Sequence, residues 1–183
     1  MKLVAPTMER LPSYRDALSR GWLPSEDPHS GERAASRINF DAANFIASLD
    51  DRAGASGPVE LPDGSTVPRL PSVEFWMWDG AFAGRITLRW QPGTAELPPT
   101  CLGHIGYGIV PWRRNRGYAT AALGLVLPHS REVGLPWVEI TTDVDNVASQ
   151  KVVTANGGVL VEKFAKPAAH GGQPAFRWRI SLG

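Results

Sequence analysis

The sequence predicts an α/β domain in which a mixed sheet carries helices on its faces. Three observations point there. Two adjacent runs, 73–78 and 82–90, alternate their side chains with period two, and Asp79-Gly80 between them is a hairpin signal. Apolar residues recur at helical spacing over 14–22, 36–50 and 117–133. Beyond residue 100 strands and helices take turns, the pattern of layered α/β architectures. The 183 residues, 43% hydrophobic and 20% charged, suffice for one domain, 1–183, with a substantial core.

Leu3-Val4-Ala5-Pro6 reads as a short first strand, ended by Pro6, which has no N–H for a ladder. Residues 14–22 and 36–50 read as helices. In the second, Ser36 is the expected N-cap, and Ile38, Ala42, Phe45, Ile46 and Leu49 share a face. Residues 54–72, rich in Gly, Pro and Ser with a turn at Pro62-Asp63-Gly64, form an excursion from the scaffold rather than a domain boundary. Val73, Phe75 and Met77 then alternate with Glu74, Trp76 and Trp78. Phe82, Gly84, Ile86, Leu88 and Trp90 line one face of the next strand.

A Pro-rich loop over 91–100 leads into the expected central strand, Leu102–Val110. The helix over 117–133 contains Pro128, which lacks an N–H and meets the carbonyl of Gly124. That costs ~3 kcal/mol in a regular helix, so a kink is expected near 124–128. Trp137–Thr142 reads as a strand, Asn146–Ala155 as a helix, and Asn156-Gly157-Gly158 as its left-handed stop. Strands Val159–Phe164 and Phe176–Leu182 follow, around a loop over 165–175. No internal repeat is present.

Composition narrows the function classes. Net charge is +1, too small for the clustered basic excess of a dedicated nucleic-acid binder. Cys101 stands alone, so neither an intramolecular disulfide nor a multi-cysteine metal site is available. The N-terminus has no apolar h-region, and the apolar stretch over 119–127 is far short of a membrane span. A cytoplasmic protein with no metal, nucleic-acid or membrane partner is expected.

PWRRNRGYAT, 111–120, is the informative stretch. A strand–loop–helix junction leaves N–H groups unpaired at the helix N-terminus, and their dipoles favour an anion. Gly117 allows close backbone approach and Ala119 keeps the first turn free of bulk. Asn115, Arg116, Gly117, Tyr118, Ala119 and Thr120 are therefore candidates to aim amides at one phosphate group, with Arg114 adding charge. GxxxxGK[ST] is absent, and GxGxxG is absent from the junction.

The spacing Arg114-x-x-Gly117-x-Ala119 resembles the pyrophosphate motif of the GNAT superfamily of acyl-CoA N-acyltransferases. HIGYGIVPWRRNRGYATAALGLVL is similar to that family's central strand, loop and helix, and ITTDVDNVASQKVVTANGG to its next strand and helix. The resemblance extends over nearly the whole chain. It implies a mixed, mostly antiparallel sheet of about six to seven strands with about four helices, its central strands splayed at the cofactor site. It implies acetyl-CoA as co-substrate and an amine as acceptor, with no metal, in a monomer or homodimer. Ile109 and Val110 would offer backbone groups to the pantetheine. Asn146 would reach the pantetheine or the phosphate edge, or serve as a simple N-cap.

Acyl transfer to an amine needs a neutral amine, a polarised carbonyl and a stabilised thiolate, and a general base contributes about 10²–10⁴-fold. His104, where relatives carry glutamate, is the first candidate base. The alternative is a strand histidine bonded to a neighbour. Glu139 is the second, or else a salt-bridged strand residue, and Glu74 the third. The tyrosine that relatives place seven residues after the helix asparagine is missing, because Val152 and Val153 stand there. Tyr107, Tyr118, a water or no acid at all then serves the thiolate, with strand packing as the other role for Tyr107 and phosphate shielding for Tyr118. Cys101 raises a covalent acyl-cysteine route against an inert thiol. Trp76, Trp78 and Trp178 are either core or acceptor lining. The acceptor site falls to the first two helices and the loops 54–72 and 165–175, and its ligand stays open. A non-catalytic acyl-CoA sensor is the alternative function.

Overall fold

The computed structural model describes residues 1–61 and 63–183. In order these form β1 (Lys2–Val4), α1 (Leu11–Ser19), α2 (Ser30–Phe40), α3 (Ala42–Ala47), β2 (Asp50–Asp51), β3 (Val59–Glu60) and β4 (Thr66–Val67). Then follow β5 (Ser72–Trp78), β6 (Phe82–Arg89), β7 (Ile105–Ile109), α4 (Tyr118–Glu132), β8 (Trp137–Asp143), α5 (Val147–Thr154), β9 (Val159–Ala165) and β10 (Pro174–Ser181).

The α/β class holds, and the strands divide between two principal sheets. One runs β1-β5-β6-β7, with β2 also on β5; the other runs β8-β10-β9. Every ladder recorded among the described residues is antiparallel. β3 and β4 make a separate ribbon within the 54–72 excursion. Its expected turn includes Pro62, which lies outside the described residues; Gly64 takes φ +82°.

The β1-β5-β6-β7 sheet is covered on both faces. One core joins Met77, Ile86, Leu88, Ile105, Val138 and Ile140 to Leu123 and Val126 of α4 and Val153 of α5. The other joins Trp76, Phe82 and Val110 to Leu11, Tyr14, Ile38 and Phe45 of the first three helices. This explains why Trp76 and Met77, consecutive and on opposite faces, are both wholly buried.

Helical boundaries differ from expectation, beginning with α1, which runs Leu11–Ser19 where 14–22 was expected. The run read as one helix over 36–50 is two, because Asp41 leaves helical geometry at φ −155°, ψ 93°. Its carboxylate accepts the Asn44 N–H at 2.9 Å and caps α3. Ser36 lies inside α2 and caps nothing. The apolar spacing survives the break, so periodicity alone conceals it. α4 runs from Tyr118 to Glu132 with Pro128 inside it. Among the described residues, no helix is long and apolar enough to cross a membrane.

Candidate active site

β7 and β8 lie side by side but share no ladder, and the hydrogen bonds between them gather at the start of β7. At the closed end the His104 N–H donates to the Glu139 carbonyl at 2.8 Å, and the Glu139 N–H donates to His104 Nδ1 at 2.9 Å. The imidazole thus replaces a main-chain acceptor where the strands begin to diverge. Gly103 permits this approach, since a Cβ there would sit 2.9 Å from the Glu139 oxygen.

The open end follows from the β7 register. Val110 donates to Ala83 O at 3.0 Å, so Val110, Gly108 and Gly106 turn their main-chain groups to β6. By antiparallel alternation Ile105, Tyr107 and Ile109 turn theirs away, into the gap beside β8. Of the pair Ile109 and Val110, therefore, only Ile109 presents its amide to the gap; Val110 spends its own within the sheet.

Beyond Val110 the chain makes a short 3-10 turn, Pro111–Arg113. Asn115 takes φ +60°, the only non-glycine residue with positive φ among those described, and Gly117 takes φ +72° as the N-cap of α4. Left-handed positions of this kind turn the chain sharply, and in anion nests they bring consecutive amides together. The first helical amide to find an acceptor is that of Ala121, bonded to Gly117 O at 3.0 Å. Among the described residues the N–H groups of 115–120 have no such partner, the six proposed from sequence. A Cβ on Gly117 would meet nothing within 4 Å, so this position faces open space. Arg114 folds back with Nε 3.4 Å from Ile109 O, and Arg116 is exposed. Tyr118 hydrogen-bonds Asp79 in the β5–β6 turn.

Asn146 caps α5, its Oδ1 accepting the Ser149 N–H at 3.0 Å. The Tyr107 hydroxyl crosses from β7 to the first turn of α5 and lies 2.7 Å from Ser149 Oγ. Burial pushes the Tyr107 pKa up, and the Ser149 hydrogen bond partly offsets that. Ser149 was missed from sequence; its signal is the Asn-x-x-Ser spacing, which puts a hydroxyl one turn into a capped helix. Val153 is buried in the core behind α5.

The three candidate bases are all engaged. His104 is wholly buried, with Nε2 3.1 Å from Ala95 O. Because Nδ1 accepts from Glu139, Nε2 carries the proton and donates. Desolvation lowers the His104 pKa to about 4, against the opposing pull of the Glu139 charge and the Ala95 bond; Arg89 and Arg179 lower it further. Glu139 is ion-paired to Arg179 at 2.7 Å and approaches Arg177 at 3.7 Å. Glu74, 5% exposed, accepts from Arg85 at 2.6 Å, Trp76 Nε1 at 3.1 Å and Thr87 at 3.2 Å. Arg85 in turn holds the carbonyl of Pro24 at 2.7 Å, fixing the α1–α2 loop.

The remaining sequence candidates separate. Cys101 is half-buried with Sγ 3.5 Å from Gly103 O. Trp76 is core, and buried Trp178 donates to Thr142 Oγ1 at 3.0 Å. Trp78 lies under Arg10, half-buried. His170, in the 165–175 loop, lies 2.8 Å from Thr100 O through Nε2, joining that loop to the Pro-rich one.

With β7 and β8 sharing no ladder and a run of amides without acceptors at the N-terminus of α4, the fold defines a class that sequence comparison also finds. Residues 22–159 match the family model of the acetyltransferase (GNAT) domain, and the chain belongs to that family. Among curated proteins, none matches it by sequence. Solved structures share the fold. The microcin C7 self-immunity acetyltransferase MccE, in complex with acetyl-CoA and AMP, superposes with a TM-score of 0.67 at 12% identity, over 98% of this chain and 91% of that one. The ribosomal alpha-N-protein acetyltransferase RimL, in complex with coenzyme A, gives 0.64 at 14% identity, over 98% and 92%. A mutant of spermidine N-acetyltransferase from Vibrio cholerae gives 0.59 at 14%, over 100% and 95%.

Proposed function

We propose that this chain, as one catalytic domain over its whole length, is an acetyl-CoA-dependent N-acetyltransferase. It transfers the acetyl group directly to a primary amine in a ternary complex. The observation that carries this reading is the run of six unpartnered amides at 115–120, at the head of a gap edged by unpaired backbone. Acetyl-CoA would supply the thioester and the leaving thiolate. The amides of Asn115 to Thr120 hold the pyrophosphate, and Arg116, exposed beside them, adds a mobile cation. The Ile109 amide and the Tyr107 main chain pair with the pantetheine arm as an added strand would. Asn146 both caps α5 and edges the gap.

The Tyr107–Ser149 pair is the proton source for the thiolate, since no tyrosine follows on α5. The engagement of His104, Glu139 and Glu74 favours a site without a side-chain base. The amine enters neutral and gives its proton to water after attack. The acceptor approaches from the side of the α1–α2 loop, over the β7–β8 gap.

The test is direct. Calorimetry should register coenzyme A binding, and thiol release from acetyl-CoA should require an amine from a panel of polyamines, amino acids and N-terminal peptides. Absence of coenzyme A binding would sink the reading. Binding without turnover on any amine would favour the sensor, which the engaged bases and Val153 also suit.

A further inference from the structure

We propose that Asp79 is a positioning residue that clamps the anion-binding loop shut. The proposal rests on the pyrophosphate reading of that loop, while its first readout below needs no ligand. Asp79 stands in the β5–β6 turn, where its N–H donates to Ala81 O at 3.1 Å. One carboxylate oxygen, Oδ2, accepts from Arg113 NH1 at 3.1 Å and from the Tyr118 hydroxyl. Arg113 closes the 3-10 turn at one end of the loop, and Tyr118 opens α4 at the other. A single atom therefore ties both ends of the segment that carries the two left-handed residues, Asn115 and Gly117.

The rest of the loop is held loosely. Within it the Arg113 N–H reaches Val110 O at 2.9 Å and the Arg114 N–H reaches Pro111 O at 3.3 Å. Two side-chain contacts add to these: Arg114 Nε lies 3.4 Å from Ile109 O, and the guanidinium of Arg20, at the α1 C-terminus, stacks 3.6 Å from the Trp112 ring. Hydrogen bonding from Tyr118, opposed by desolvation and helped by the N-terminal ammonium, Arg113 and Arg116, holds the Asp79 carboxyl below the usual range, so it is ionised at neutral pH. The clamp also divides the arginines. Arg113 is neutralised, Arg114 turns back to Ile109 O, and Arg116 is left for an anion.

The sign of the effect separates a clamp from bulk electrostatics. Removing a carboxylate beside a polyanion site should tighten anion binding on Coulomb grounds alone. A clamp predicts the reverse, because the amides must then be gathered from a looser ensemble before they bind.

The variants are Asp79→Ala, Tyr118→Phe and the two combined. In the unliganded protein, trypsin should cut after Arg113, Arg114 or Arg116 at least several-fold faster in each single variant, with no greater rate in the double. Coenzyme A should bind about tenfold more weakly to each, again without a further loss in the double, while thermal unfolding midpoints stay near the parent's. Unchanged trypsin rates, or tighter coenzyme A binding by Asp79→Ala, would overturn the clamp. Additive losses in the double variant would likewise show that Asp79 and Tyr118 do not act as one unit. Should the parent fail to bind coenzyme A, the functional reading falls, and the trypsin comparison still decides the clamp.

Discussion

His104 offers the sharpest test, because burial and catalysis predict different pH behaviour for the same imidazole. Replacing it with asparagine keeps an acceptor beside the Glu139 N–H while removing the titrating group and its link to Ala95. In the native protein the His104 pKa is depressed from 6.5 to about 4, so the unfolded state binds the proton more readily. The stabilising contribution is complete above the unfolded pKa and is lost as pH falls toward the folded one. Linkage over that interval gives a loss of about 2 kcal/mol between pH 7.5 and pH 5. For a chain of this size that is about 4 to 8 °C in unfolding midpoint. His104→Asn should start about 1–3 kcal/mol less stable at pH 7.5, from the lost bond and packing. It should then close most of that difference by pH 5, since all other titrating groups are shared. Urea denaturation at the two pH values measures this. Parallel losses in both proteins would refute the buried neutral imidazole. An acid limb near pH 6.5 in kcat/KM that disappears in the variant would make His104 the base after all.

Other outcomes are expected from the same geometry. Gly117→Ala puts a Cβ into open space at φ +72°, so the fold should lose only about 1–2 kcal/mol by thermal melt while coenzyme A affinity falls at least tenfold; unchanged affinity would detach the loop from phosphate binding. Tyr107→Phe and Ser149→Ala should each lower kcat about 10²-fold in steady-state assays with little change in coenzyme A affinity, and an unaltered kcat would remove the pair from the proton path. Glu74→Ala leaves Arg85 without its buried partner and should cost about 3–5 kcal/mol in urea unfolding; a cost below about 1 kcal/mol would mean the pair is solvated.

What could be read from the sequence was what depends on local chain geometry. The Arg114-x-x-Gly117-x-Ala119 spacing encodes a left-handed turn followed by a helix start, and both lie where the residues put them. The Asn146 cap and the Asp79-Gly80 hairpin are local in the same sense. The environment of His104 was not legible, because its two partners come from Ala95 and Glu139, on either side of it in the chain. Glu139 likewise looked available until its arginines arrived from β10, about forty residues downstream. Ser149 gains meaning only from a hydroxyl on β7. Asp41 hid inside an apolar rhythm that two helices and one helix satisfy equally well.

The strand order β8-β10-β9 has a kinetic consequence. β10 is the middle strand of its sheet yet is made after both of its neighbours. Until it inserts, β8 and β9 each present an unpaired edge, and Val159, Leu160 and Val161 stay exposed even in the finished fold. The pairing of β10 with β8, across α5 and β9, is non-local and slow to form. The nascent chain therefore passes through a state with two sticky strands waiting for a third, and that interval is where aggregation competes with folding. Slowing β10, for instance by a β-breaking residue at Trp178 or Ile180, should reduce soluble yield well before it alters the loop between β7 and α4.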